Sequence, residues 1–178
     1  MTDEDLNECF LFSATYGDQN DDWPHRTVMV YRLTINGELG DYKVIHSDGA
    51  NHAEIHFIDE VSNSITQLHT EIKIEMFISY SPCDDCADAL IDWITGLMEE
   101  VPGRNVSIAI KFSAFYLNER AGLIHLHQFP GITLGVFNTE VWTEFFQLIN
   151  RNLYEFQELI NQRADRETID ANMLQGII

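Results

Sequence analysis

A chain of 178 residues, 45% hydrophobic and 22% charged, has the size and composition of one globular domain, and a single domain over 1–178 is expected. Its 29 acidic against 10 basic residues give a formal net charge of −19. That leaves it without the electrostatic footprint of a general nucleic-acid binder, so a polynucleotide would need a local basic patch against an unfavourable field. No apolar run approaches the roughly 20 residues of a membrane span, and Met1-Thr2-Asp3-Glu4-Asp5 is acidic where a secretory leader is basic. The expectation is therefore an intracellular protein, cytoplasmic or nuclear, that does not enter a membrane.

In chain order, residues 3–14 read as a first helix with Leu6, Phe10 and Phe12 on its inner face. Gly17 to Pro24 reads as a polar, acidic loop, and Arg26 to Ile35 as a strand rich in Val, Tyr and Thr. Asn36-Gly37 is a hairpin signal because both residues tolerate positive φ, with the returning strand expected at 41–46. Ala53, Phe57 and Val61 form a helical stripe within 52–62. Ile72, Ile74 and Met76 alternate with Glu71, Lys73 and Glu75 as a half-buried strand, and a helix carrying Leu90, Ile94 and Leu97 ends at Pro102-Gly103. Val106 to Phe112 alternates as another strand, a short helix covers 119–128, Gly131 to Phe137 is a last strand, and helices at 139–150 and 152–165 finish the chain. This order predicts an α/β fold: a five-stranded mixed sheet with helices on both faces. The crossover helix between the last two strands makes them parallel.

Three cysteines cannot build a secreted-type disulfide framework. Cys9, alone in an apolar stretch, reads as a buried free thiol. Cys83 and Cys86 stand three apart in Pro82-Cys83-Asp84-Asp85-Cys86, at the start of a helix where the dipole favours thiolate, and Pro82 suits that helix start. With 27 residues between them and Pro82, His52-Ala53-Glu54 precede. H-x-E followed by P-C-x-x-C is the pattern of zinc-dependent nucleobase deaminases. One imidazole and two thiolates would hold Zn²⁺ and leave a fourth position for water, whose pKa the metal brings down to about 7. Glu54, not a ligand, would move the protons. A structural zinc site would want a fourth protein ligand, for which His56 and Cys9 lack compelling spacing, and a redox pair would not need H-x-E. His56 completes H-x-E-x-H, which is not the metalloprotease H-E-x-x-H; it is expected to face away from the metal. His125 and His127 read as structural or surface groups.

With these motifs in place, the chain resembles the AID/APOBEC polynucleotide cytidine deaminases over nearly its whole length. Phe77-Ile78-Ser79-Tyr80-Ser81-Pro82-Cys83 is similar to that family's T-S-W-S-P-C segment with Tyr80 in place of tryptophan. Arg26 to Tyr31 is similar to its T-Y-L-C-Y strand, and Ser113-Ala114-Phe115-Tyr116 to its A-R-L-Y turn, one residue shorter and without the arginine. The fourth helix also matches, whereas free-nucleoside deaminases generally lack it and pair the last strands antiparallel. The resemblance implies a cytidine-deaminase-like fold, zinc on His52, Cys83 and Cys86, and Glu54 as the proton shuttle. It implies substrate contacts from Thr27, Asn51, Ala53, Tyr80, Ser81 and Tyr116, with Thr27 and Tyr116 lining the base pocket and Tyr80 in its aromatic wall. The family's pocket asparagine has no clean counterpart here: Ser47 occupies the nearest spacing and Asn51 offers the nearest chemistry. His25, Arg26 and Arg120 are the phosphate-contact candidates.

The leading expectation is hydrolytic deamination of cytosine to uracil in single-stranded polynucleotide, with DNA favoured. One rival is a deaminase of free cytidine or a nucleotide, whose small size the acidity suits, or of tRNA adenosine, which His52-Ala53-Glu54-Ile55 would also suit. Another is a catalytically silent, zinc-stabilised binding module.

Overall fold

A computed structural model describes residues 1–11, 26–116, 120–161 and 164–178. The N-terminal helix α1 (Asp5–Leu11) winds as a π-helix and buries Leu6, Cys9, Phe10 and Leu11. Thr2 and Asp5 cap its start reciprocally: the Asp5 N–H donates to Thr2 Oγ1 (3.0 Å) and the Thr2 N–H to Asp5 Oδ2 (2.9 Å). Residues 12–14 of the expected 3–14 helix, Phe12 among them, and the Gly17 to Pro24 loop lie outside the described residues.

Strands β1 (Val28–Ile35) and β2 (Glu38–His46) form the predicted hairpin, with Asn36 at φ 49° and Gly37 at φ 84°. The returning strand begins three residues earlier than the expected 41, because the two-residue turn lets pairing start at once from Ile35 opposite Glu38. Asn36 also ties this turn to the next strand. Its side-chain oxygen accepts from the backbone N–H groups of Thr70 and Glu71, both at 3.0 Å.

There follow α2 (Ala53–Ser62), β3 (Glu71–Tyr80), α3 (Asp84–Glu100), β4 (Asn105–Ala114), α4 (Ala121–Gln128), β5 (Ile132–Val136) and α5 (Thr139–Leu148). The sheet order is β2-β1-β3-β4-β5. β1 runs antiparallel to both its neighbours, while β3, β4 and β5 are parallel, as the two crossover helices require. The end of the chain departs from the expectation of one helix over 152–165. A 3₁₀ turn (Leu153–Phe156) leads into the short α6 (Gln157–Asn161), and a separate α7 (Ala164–Ile177) follows. The low amphipathicity of α7, whose sequence mixes Arg166, Glu167 and Asp170 with Ile169 and Leu174, hid it from a periodicity argument.

Alternation along the strands sends two sets of side chains to two cores. Met29, Tyr31, Ile74, Met76, Ile78, Ile110 and Phe112 face α2, α3 and α4, meeting Phe57, Leu90, Ile94 and Leu123. On the other face Val28, Val30 and Phe77 meet Phe10 of α1 and the aromatic cluster Phe137, Trp142, Phe145 and Phe146. α2 and α3 are thereby fixed on one face of the sheet with both N-termini at the carboxyl end of β3. Among the described residues no helix is long and apolar enough to cross a membrane.

Candidate active site

His52 is the N-cap residue of α2 and Cys83 that of α3, with Cys86 in the first turn. Extended backbone at each cap delivers the side chain to the gap between the helices, where both dipoles present their positive ends. The Ser81 N–H still donates to the Ala114 carbonyl (2.8 Å), so the chain leaves the sheet only at Pro82. His52 Nδ1 lies 3.3 Å from each of the Cys83 and Cys86 sulfurs, and all three ligand atoms lie within 4.8 Å of one another.

This donor set fits a tetrahedral metal. Zn–S and Zn–N bonds of about 2.3 and 2.0–2.1 Å put sulfur and nitrogen about 3.6 Å apart. Both thiols are buried and His52 is exposed, so the group is closed on the protein side and open on the other. The Cys86 thiol donates to Cys83 and brings the Cys83 thiol down to about 6; the same bond, with burial and the nearby Glu54, pushes Cys86 up.

Glu54 lies in the first turn of α2 and is 3% exposed, yet its carboxyl reaches the Cys86 thiol. Burial pushes it up to about 7, and Cys83 adds to this against the opposing pull of its own backbone N–H, His52 and Cys86. A carboxyl balanced near neutrality can both accept and donate a proton, as general acid–base work demands.

The other candidate residues distribute around this centre. The Tyr116 ring stands edge-on to the His52 ring at 6.1 Å, and its N–H donates to Ser81 Oγ at 2.9 Å. Ala53 is buried beneath the cap of α2, and Tyr80 is 2% exposed at the end of β3, opposite Ala114. Thr27 and Ser47 clasp each other: the Thr27 N–H donates to Ser47 Oγ (2.7 Å) and the Ser47 N–H to the Thr27 carbonyl (2.8 Å). Asn51 is exposed, directly before His52. Arg26 is tied inward, its guanidinium 3.1 Å from Asp5 and 3.5 Å from Glu4. Arg120 is exposed at the N-cap of α4, and His25 lies outside the described residues. Cys9 is fully buried, with its thiol pushed up by that burial. His56 pairs with Asp48 (3.0 Å) and His125 with Asp88 (3.2 Å).

Three carboxylates that shape the site escaped the sequence reading. Asp48 Oδ1 accepts from the N–H groups of Ala50 and Asn51 and so sets the loop that delivers His52; Asp-Gly-Ala-Asn is an Asx-turn signal that could have been read that way. Asp84 accepts from the Gly122 N–H at 2.6 Å and so joins α4 to the start of α3. Asp5, 2% exposed, holds both Arg26 and His46 behind the Thr27–Ser47 clasp, and nothing in an acidic N-terminal run marks one member as buried.

Residues 21–153 match the family model described as APOBEC3H. The DNA dC->dU-editing enzyme APOBEC-3H of Felis catus is 24% identical over 185 aligned residues, covering 93% of this chain and 92% of the cat protein. The DNA dC->dU-editing enzyme APOBEC-3H of Macaca mulatta is 26% identical over 131 residues, covering 69% of this chain and 60% of the macaque protein.

Proposed function

From the premise that this chain belongs to the APOBEC3H family, whose model spans residues 21–153, we propose that it is a zinc-dependent enzyme that deaminates cytosine to uracil in single-stranded DNA, with 1–178 acting as one deaminase unit. The observation that carries this reading is the buried Glu54 carboxyl beside the His52, Cys83 and Cys86 group. The curated relatives named as DNA dC->dU-editing enzymes support the choice of substrate.

In this reading His52, Cys83 and Cys86 hold Zn²⁺, which when bound lowers the pKa of water enough to supply a nucleophile at neutral pH. Glu54 takes the proton from the attacking water and delivers it to cytosine N3. It then passes a proton to the exocyclic amine, so that water and cytosine leave as ammonia and uracil. Its burial keeps that proton out of bulk solvent, and its contact with Cys86 holds the carboxyl at the ligand cluster. Tyr116, standing against His52, stacks on the flipped base, a contact worth about 1–3 kcal/mol. Tyr80, Ala53 and Ser81 form the floor and wall around it. Thr27, braced by Ser47, and Asn51 line the sugar side, and Arg120 is exposed toward solvent for a phosphate of the strand while Arg26 is paired with Asp5.

The test is the purified protein incubated with single-stranded DNA, single-stranded RNA and free cytidine, with uracil read out by mass. Uracil in the DNA is the expected result. Turnover of free cytidine alone would transfer the site to a nucleoside substrate, and zinc binding with no turnover on any of the three would make the chain a binding module.

A further inference from the structure

The way the strand is held rests on the deaminase reading above and carries it one step further. Of the ten Lys and Arg in the sequence, all but Arg163 are among the described residues. Eight of those nine stand within ion-pair distance of a carboxylate, from Arg26 on Asp5 to Arg166 on Asp170. Arg120 is the exception: it is exposed and makes no ion pair with any described residue. Residues 12–25 and 117–119 contribute no Lys or Arg in sequence. A basic track along the surface would thus have to be assembled from cations that carboxylates already neutralise.

Arg120 is also held in a defined place. Two residues after it, a Cβ on Gly122 would stand 2.7 Å from the Ala87 Cβ and 2.8 Å from the Asp84 Cα, closer than real atoms pack. Only glycine lets α4 begin in contact with the first turn of α3, the turn that bears Cys86, and the Gly122 N–H seals the contact on Asp84. Four residues before it, Tyr116 is fastened to Ser81 and faces His52. Arg120 thus stands at the start of a helix held against the turn that bears Cys86.

We infer that Arg120 is the single phosphate anchor of the substrate strand. One guanidinium–phosphate contact fixes the register of the strand beside the site, and stacking and base burial supply the remaining affinity. The consequence is a shallow salt dependence. Each neutralised phosphate of a single strand contributes a slope of about −0.7 in log affinity against log salt. One contact then loses about threefold between roughly 50 and 200 mM salt, where four contacts would lose about fiftyfold. Screening of the −19 field acts in the opposite direction and flattens the slope further.

The experiment is fluorescence anisotropy of a labelled single-stranded DNA carrying one cytosine, titrated with the zinc-loaded protein across a salt series. Wild type, Arg120→Gln, Arg120→Lys and Lys43→Gln are compared. Lys43 pairs with Glu60 away from the ligand cluster, so Lys43→Gln matches the charge change without touching the site. The expected result is a wild-type slope near −0.7 or shallower, a slope near zero with several-fold weaker binding at low salt for Arg120→Gln, a retained slope for Arg120→Lys, and wild-type behaviour for Lys43→Gln. A wild-type slope steeper than about −2, no binding at all, or Arg120→Gln with unchanged affinity and slope would overturn the anchor. Uracil measured on the same samples separates the two readings. Binding with the expected slope but no uracil leaves the anchor standing and removes the deaminase, and uracil with a steep slope does the reverse.

Discussion

Glu54 and Asp5 are both carboxyls withdrawn from water, and their surroundings drive them in opposite directions. At Glu54 desolvation wins, and the group sits near neutrality beside three side chains that could hold a metal. At Asp5 burial also pushes upward, but the Thr2 N–H, the His46 ring and the Thr2 hydroxyl outweigh it and hold the carboxyl below its ordinary range. A carboxyl held low contributes its stability at pH values above its unfolded pKa, and loses it as the pH falls through the folded value. Asp5→Asn should therefore lower the melting temperature at neutral pH by roughly 4–8 °C, from a loss of about 2 kcal/mol. It should also flatten the decline of stability below about pH 4; melts across an acid series check both. At the ligand cluster, His52→Ala should leave the purified protein with much less zinc, measured by elemental analysis. Three side chains of this cluster were legible because their chemistry depends on type and spacing. Asp5, Asp48 and Asp84 were not, because an aspartate reads the same in sequence whether it is solvated or closing a turn.

Among the elements, the hairpin and the parallel strands followed from local rules: Asn36-Gly37 fits a turn with positive φ, and a crossover helix leaves little choice of strand direction. Helix α7 escaped because it has no clean apolar stripe, and α1 was foreseen as a helix without its π-helical winding. The α3–α4 contact is the element-scale feature with the sharpest consequence. It depends on a missing side chain at Gly122, and an Ala-Gly-Leu sequence carries no sign of a close helix approach. Gly122→Ala must push α4 off α3, costing about 1–3 kcal/mol by overpacking. It should also raise KM for single-stranded DNA more than it lowers kcat, because Tyr116 and Arg120 move while the ligand cluster stays. Unchanged KM with an unchanged melt would show that α4 does not position the substrate strand.

Over the whole molecule the two cores place the helices that carry the ligand cluster on one face of the sheet and an aromatic layer on the other. The three candidate ligands come from the starts of two separate helices, so a metal held there would link α2 to α3. Chelation should lower the melting temperature and zinc should restore it, since a ligand that binds only the folded state stabilises it by mass action. The acidity that argued against a polynucleotide in sequence becomes, in three dimensions, a surface that neutralises nearly every described cation and leaves Arg120 exposed at the start of α4. The measurement that tests the central claim most directly is uracil formation in single-stranded DNA by wild type and Glu54→Gln, with zinc quantified in both. Wild type should form uracil, and the variant should keep its zinc while losing activity by at least about 10²–10⁴-fold. Zinc-loaded wild type that forms no uracil, or a Glu54→Gln protein that forms it at the wild-type rate, would contradict the account.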